Sequence, residues 1–101
     1  MARERPDYGN LTIDYPNAYN VPGCGGFQAY GKRQYAGSRL AASVTDETHT
    51  WPGTPAKPPG GEDWAFNFSG LPTNVDLLLT VTETYQGTGG LQSKGFMSIC
   101  P

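Results

Sequence analysis

The chain has 101 residues, 16% of them charged, and a formal net charge of −2, which suits one domain with a single modest core. That balance excludes an electrostatic nucleic-acid binder, which needs a basic stripe, and no apolar run approaches the roughly 18 residues of a membrane span. Charge lies below the roughly 25% of an average soluble protein and glycine near twice its usual share, so with plentiful Thr and Tyr the composition describes a turn-rich all-β chain.

Residues 1–9, MARERPDYG, mix Arg3, Glu4, Arg5 and Asp7 with a proline and lack the apolar region of a secretory signal. They are expected to form a flexible N-terminal tail, with residues 10–101 as the domain. Leu11, Ile13 and Tyr15 alternate in a first strand that Pro16 ends. PNAYNVPGCGG is turn chemistry around one short extended piece, Tyr19 to Val21. Phe27 and Ala29 alternate in a second strand, and Ala36-Gly37 marks a turn. In SRLAASVTD, Leu40, Ala42 and Val44 face one way while Arg39, Ala41, Ser43 and Thr45 face the other.

The stretch from Glu47 to Asp63 holds four prolines and three glycines, which rules out a helix and any central strand. Thr48 to Trp51 reads as a short edge strand and the remainder as a surface loop, long enough to be functional. The strongest strand pair follows. Trp64, Phe66 and Phe68 alternate with Ala65, Asn67 and Ser69, and Leu77, Leu79 and Val81 alternate with Thr80, Thr82 and Thr84. Gln86 to Gly90 reads as a hairpin turn before a last strand ending near Ile99. About seven short strands at about ten-residue spacing describe an all-β sandwich or a small barrel.

Catalytic constellations are weak. His49 is the lone histidine, and Ser43, Asp46 and His49 lie within seven residues on one strand and its end, so they do not make a triad. The acid pairs Asp46-Glu47 and Glu62-Asp63 read as solvated loop residues, since calcium loops need more oxygen ligands. No catalytic residue, metal ligand or cofactor is expected. Cys24 and Cys100, far apart and without a nearby histidine, lack zinc spacing. Either one disulfide or two inert thiols fits them.

The motif W-x-F-x-F-x-G-L-P at Trp64, Phe66, Phe68, Gly70, Leu71 and Pro72, followed by Leu79-Thr80-Val81-Thr82 and Thr84, resembles bacterial immunoglobulin-like domains. The likeness covers roughly residues 10 to 100; it departs at Tyr85, where Asp is more usual, and in the proline-rich insertion. It implies an immunoglobulin-like β-sandwich of about seven antiparallel strands. Its strand order would pair the end of the first region parallel with the last strand, bringing Cys24 and Cys100 to one pole. Related adhesin domains carry a Lys–Asn crosslink, for which the last strand has Lys94 but no Asn.

These features imply a non-enzymatic structural or adhesion module that docks a protein partner through loops or a sheet edge. The alternatives are an accessory protein decorating a virion and a carbohydrate-binding module using exposed rings. The location expected is extracellular, on a cell surface or on a virion. The candidate contact residues are Trp51, Tyr19, Tyr30 and Tyr35, flat rings at loop or polar-face positions.

Overall fold

The computed structural model describes residues 10–16 and 20–100. Among these the architecture is all-β: β1 (Asn20–Pro22), β2 (Phe27–Gly31), β3 (Arg39–Thr45), β4 (Thr50–Pro52), β5 (Thr54–Pro55), β6 (Trp64–Phe68), β7 (Asp76–Tyr85) and β8 (Thr88–Ile99). One sheet has the order β1-β8-β7-β3-β4 and the other β2-β6-β5. Every pairing is antiparallel except that of β1 with β8, which is parallel with Val21 opposite Ser98.

The core lies between the sheets and follows the period of two. Trp64, Phe66 and Phe68 point inward from β6, and Leu77, Leu79 and Val81 from β7; all are buried. Large rings on β6 face small residues on β2, with Gly31 opposite Trp64 and Ala29 opposite Phe66. Phe27 completes the packing, stacked on Phe68 at 5.5 Å and edge-on to Phe96 at 5.0 Å. Such offset and edge-on pairs add to simple area burial.

The expected first strand is an extended segment held on the free edge of β2. Thr12 N donates to the Lys32 carbonyl at 3.0 Å and Asp14 N to the Tyr30 carbonyl at 2.9 Å. A cis Tyr15–Pro16 peptide follows, and β1 then lies in the other sheet. Trp64 locks the segment down. Its Nε1–H is shared between the Thr12 carbonyl at 3.2 Å and the Lys32 carbonyl at 3.1 Å.

The short edge strand expected at Thr48 to Trp51 is found as β4, and the remainder, expected as a surface loop, contains β5 in the other sheet. β4 pairs with β3 and β5 with β6. Proline is compatible here because both are edge strands, where one side of the backbone needs no ladder donor. Gly53 carries the chain between the sheets. A Cβ at that position would lie 2.9 Å from both Phe66 Cβ and Phe68 Cζ, so the crossover hugs the core. Among the described residues there are eight strands. The hairpin turn is also tighter than expected: only Gln86 and Gly87 form it, with φ of 52° and 82°, the geometry of a two-residue I′ turn.

Cys24 and Cys100 form a disulfide with a Cα–Cα distance of 4.7 Å, at the pole where β1 and β8 end together. Asn74 holds the same end a second time. Its Nδ2 donates to the Cys100 carbonyl and its Oδ1 accepts from Cys100 N, both at 3.2 Å.

Two measurements test this account. A Cβ at Gly31 would collide with the Thr12 carbonyl and come within 2.9 Å of the Trp64 ring, so Gly31→Ala should destabilise by about 3 kcal/mol, the upper range for overpacking. Chemical denaturation reads the loss. Replacing both cysteines by serine removes a crosslink across a separation of 76 residues and should cost up to about 4 kcal/mol. A cost near zero would place the closure with β1 and Asn74 instead.

Candidate functional site

The site best defined by the backbone is the outer edge of β8. The inner edge of this strand is paired with β7 from Thr88 to Met97, but on the outer side β1 covers only Met97 to Ile99. Among the described residues, no strand pairs the outer edge from Thr88 to Phe96. In a two-residue hairpin the residues flanking the turn exchange both hydrogen bonds. Tyr85 and Thr88 are that pair here, so alternation directs the N–H and C=O groups of Leu91, Ser93 and Gly95 outward.

Beside this edge runs a groove of about 410 Å³, with Asn10 to Ile13 on one wall and Gly90 to Lys94 on the other. Two opposed preferences keep the walls apart. The segment is tied to β2 in one sheet, while β8 is tied to β7 in the other. Lys94 bridges them by donating to the Ile13 carbonyl at 2.9 Å. Leu11 and Ile13 are buried beneath, so the groove joins an apolar base to open backbone groups.

Glu83 fixes one end of the groove. It is 1% exposed, on the inward side of β7 with Leu77, Leu79 and Val81. Its carboxylate accepts from Gln34 N at 2.8 and 3.0 Å, from Tyr35 N at 2.8 Å and from Ser38 Oγ at 2.6 Å. A buried carboxylate with several donors is the arrangement that makes burial tolerable. The carboxylate shapes the β2–β3 loop and places Gln34 at the groove end.

The sequence-nominated residues do not converge. Tyr19 lies outside the described residues. Tyr30 is stacked on Tyr15 at 5.4 Å, and Tyr35 on Tyr85 at 4.9 Å. Trp51 is half-buried on β4, opposite Val44, and packs against the core with His49 at 5.8 Å. Cys24 and Cys100 sit at the bridged pole. Sequence reasoning did not reach Gln92 or Glu83, and it considered Lys94 only for a Lys–Asn crosslink. The signal for Glu83 was present, since it shares the parity of three core residues on β7.

The acids serve local structure. Asp46 Oδ1 accepts from Thr48 N at 2.7 Å and His49 N at 2.6 Å. These two backbone donors, Thr48 first, hold its carboxyl below the ordinary aspartate range. Glu62 is shifted upward, first by the hydrogen bond it shares with Asp14, then by burial and the Asp14 charge; Lys32 opposes the shift. Lys32 Nζ sits 3.4 Å from Glu62 and 3.8 Å from Asp14, an exposed network of small energetic weight. Among the described residues no group of three or more His, Cys, Asp or Glu side chains could hold a metal ion.

Removing the Glu83 carboxylate strands two backbone donors and a hydroxyl in a part-buried loop, so Glu83→Ala should cost about 3 kcal/mol. Faster amide exchange at Gln34 and Tyr35 should accompany the lowered denaturation midpoint. Retained protection at both amides would refute that role. The chain matches no family model, and neither a curated protein nor a solved structure shows significant similarity to it.

Proposed function

We propose that the chain is a non-enzymatic immunoglobulin-like module that binds an extended segment of a protein partner along the outer edge of β8. The observation that carries this reading is the uncovered edge from Thr88 to Phe96 beside the groove walled by Asn10 to Ile13. An added strand takes its affinity from main-chain hydrogen bonds and its specificity from side-chain pockets, and both elements are adjacent here. The strand order supports the immunoglobulin-like part. The segment at 11–15 lies beside β2, and the order β2-β6-β5 follows, matching A-B-E-D; β8-β7-β3-β4 matches G-F-C-C′. The bridge differs from the B–F disulfide of antibody domains, because it joins the start of the second strand to the end of the last.

A disulfide fits an oxidising location, so we assign the module to adhesion or structural work at a cell surface or on a virion. The stacked Tyr15–Tyr30 and Tyr35–Tyr85 pairs and half-buried Trp51 weigh against the sugar-binding reading, because each ring already has a partner.

The test uses a photo-crosslinking residue at Gln92, whose side chain lines the groove, in the full chain presented to its native surface. A discrete protein adduct is expected, absent when the crosslinker is at Asn67 on the other sheet. Ser93→Pro removes one outward N–H while leaving the β7 ladder intact, and should weaken the adduct roughly tenfold, the equivalent of one hydrogen bond. Equal labelling from both positions, or an adduct indifferent to Ser93→Pro, would overturn edge docking. Glycan adducts would favour sugar binding instead.

A further inference from the structure

The outward face of the larger sheet is unusual in its chemistry. On β7 the outward residues between Asp76 and the turn are Leu78, Thr80, Thr82 and Thr84; register places Thr45, Ser43 and Ala41 beside them on β3. On β8 the neighbours are Gly95, Ser93, Leu91 and Gly89. Thr80 Oγ1 and Ser93 Oγ lie 3.4 Å apart across this surface. Leu78 is 42% exposed and Leu91 62%. A solvated surface ordinarily carries charge at about a quarter to a third of its positions. On β3, β7 and β8 this face carries two charges, Arg39 and Asp76, and they stand at opposite ends: Arg39 is opposite Thr84, eight positions along β7 from Asp76.

We infer that this face packs against the same face of a second copy of the chain, about a two-fold axis that lies between the two facing sheets and runs perpendicular to the strands. Such an axis reverses one copy end for end. It sets Arg39 of each copy over the Asp76 end of the other and brings the uncharged middle regions together, the self-complementarity an isologous interface requires. Stacked sheets pack about 10 Å apart with Thr, Ser, Ala and Leu interdigitating. Eight residues of rise over β3, β7 and β8, with the three residues of β4 beside them, give a face of roughly 440 Å² per copy. The pair would bury roughly 900 Å², below the size of a standard stable interface and in the range of a weak, reversible dimer. The inference is independent of edge docking, because the outer edge of β8 stays open when the faces stack.

Sedimentation velocity across micromolar to millimolar concentration tests it on the full chain. The wild type should pass from monomer to dimer. Thr82→Glu sets a carboxylate against Leu78 of the other copy, in the uncharged part of the contact, and should raise the midpoint concentration at least roughly tenfold. Leu91→Lys provides a second variant should the first lose its cooperative thermal transition. Asn67→Glu, on the outward side of β6, should leave the midpoint unchanged. A wild type that stays monomeric throughout, a dimer that survives both face variants, or one weakened equally by Asn67→Glu would each overturn the proposal.

Discussion

The close approach of two backbones and an indole ring at Gly31 governs the rest of this molecule. There the Thr12 carbonyl, the β2 strand and the Trp64 ring meet with no room for a Cβ. The Trp64 indole N–H spans the seam by bonding to the carbonyls of both Thr12 and Lys32. Because the ring is buried, this polar tip has to be satisfied internally, and the N-terminal segment supplies the second carbonyl. Its position then determines one wall of the groove, while Leu11 and Ile13 on the same segment seal the core beneath. A side chain at residue 31 would separate these parts, so the smallest residue type is required where the largest ring packs.

The two sheets are joined by contrasting devices. At one pole, covalent and polar ties converge on the last strand: the disulfide, the Asn74 amide and the parallel pairing of β1. Toward the other, Glu83 gathers the β2–β3 loop by three donors on adjacent turns. Between them, Gly53 passes the chain from the edge of one sheet to the edge of the other against Phe66 and Phe68. The sandwich therefore has its ends organised by specific polar groups and its middle by apolar packing, which has little directional preference of its own.

Much of this was legible from residues alone, and the reason is periodicity. Trp64, Phe66 and Phe68, like Leu77, Leu79 and Val81, repeat every second position, and burial follows that repeat directly. Alternation in β3 likewise put Leu40 and Val44 inside and Arg39 outside. Beyond Trp51 the proline-rich stretch reads as loop because proline weakens strand propensity; what sequence lacks is whether the missing donor faces a neighbour or solvent, and Pro52 and Pro55 lie in edge strands. Trp51 could be assigned a side only once its register opposite Val44 was known. The groove was hidden for a related reason, since its walls come from residues about 80 positions apart and neither wall carries a motif. The donors to Glu83 are similarly remote, so its parity hinted at burial without revealing what would neutralise its cost.

The disulfide also sets a mechanical path. Residues 25–99 lie inside the covalent loop closed between Cys24 and Cys100. Tension entering beyond Cys100 crosses the bridge to Cys24 and leaves toward residue 10 without stretching β2 to β8. The load then falls on the segment at 10–24, held by β1 along β8 and by the Trp64 seam on β2. The seam, nearer the pulled end, takes that load before β1, and its release would let out a short length of chain that lies outside the covalent loop. For a module tethered at both ends, the bridge would act as a limiter of extension.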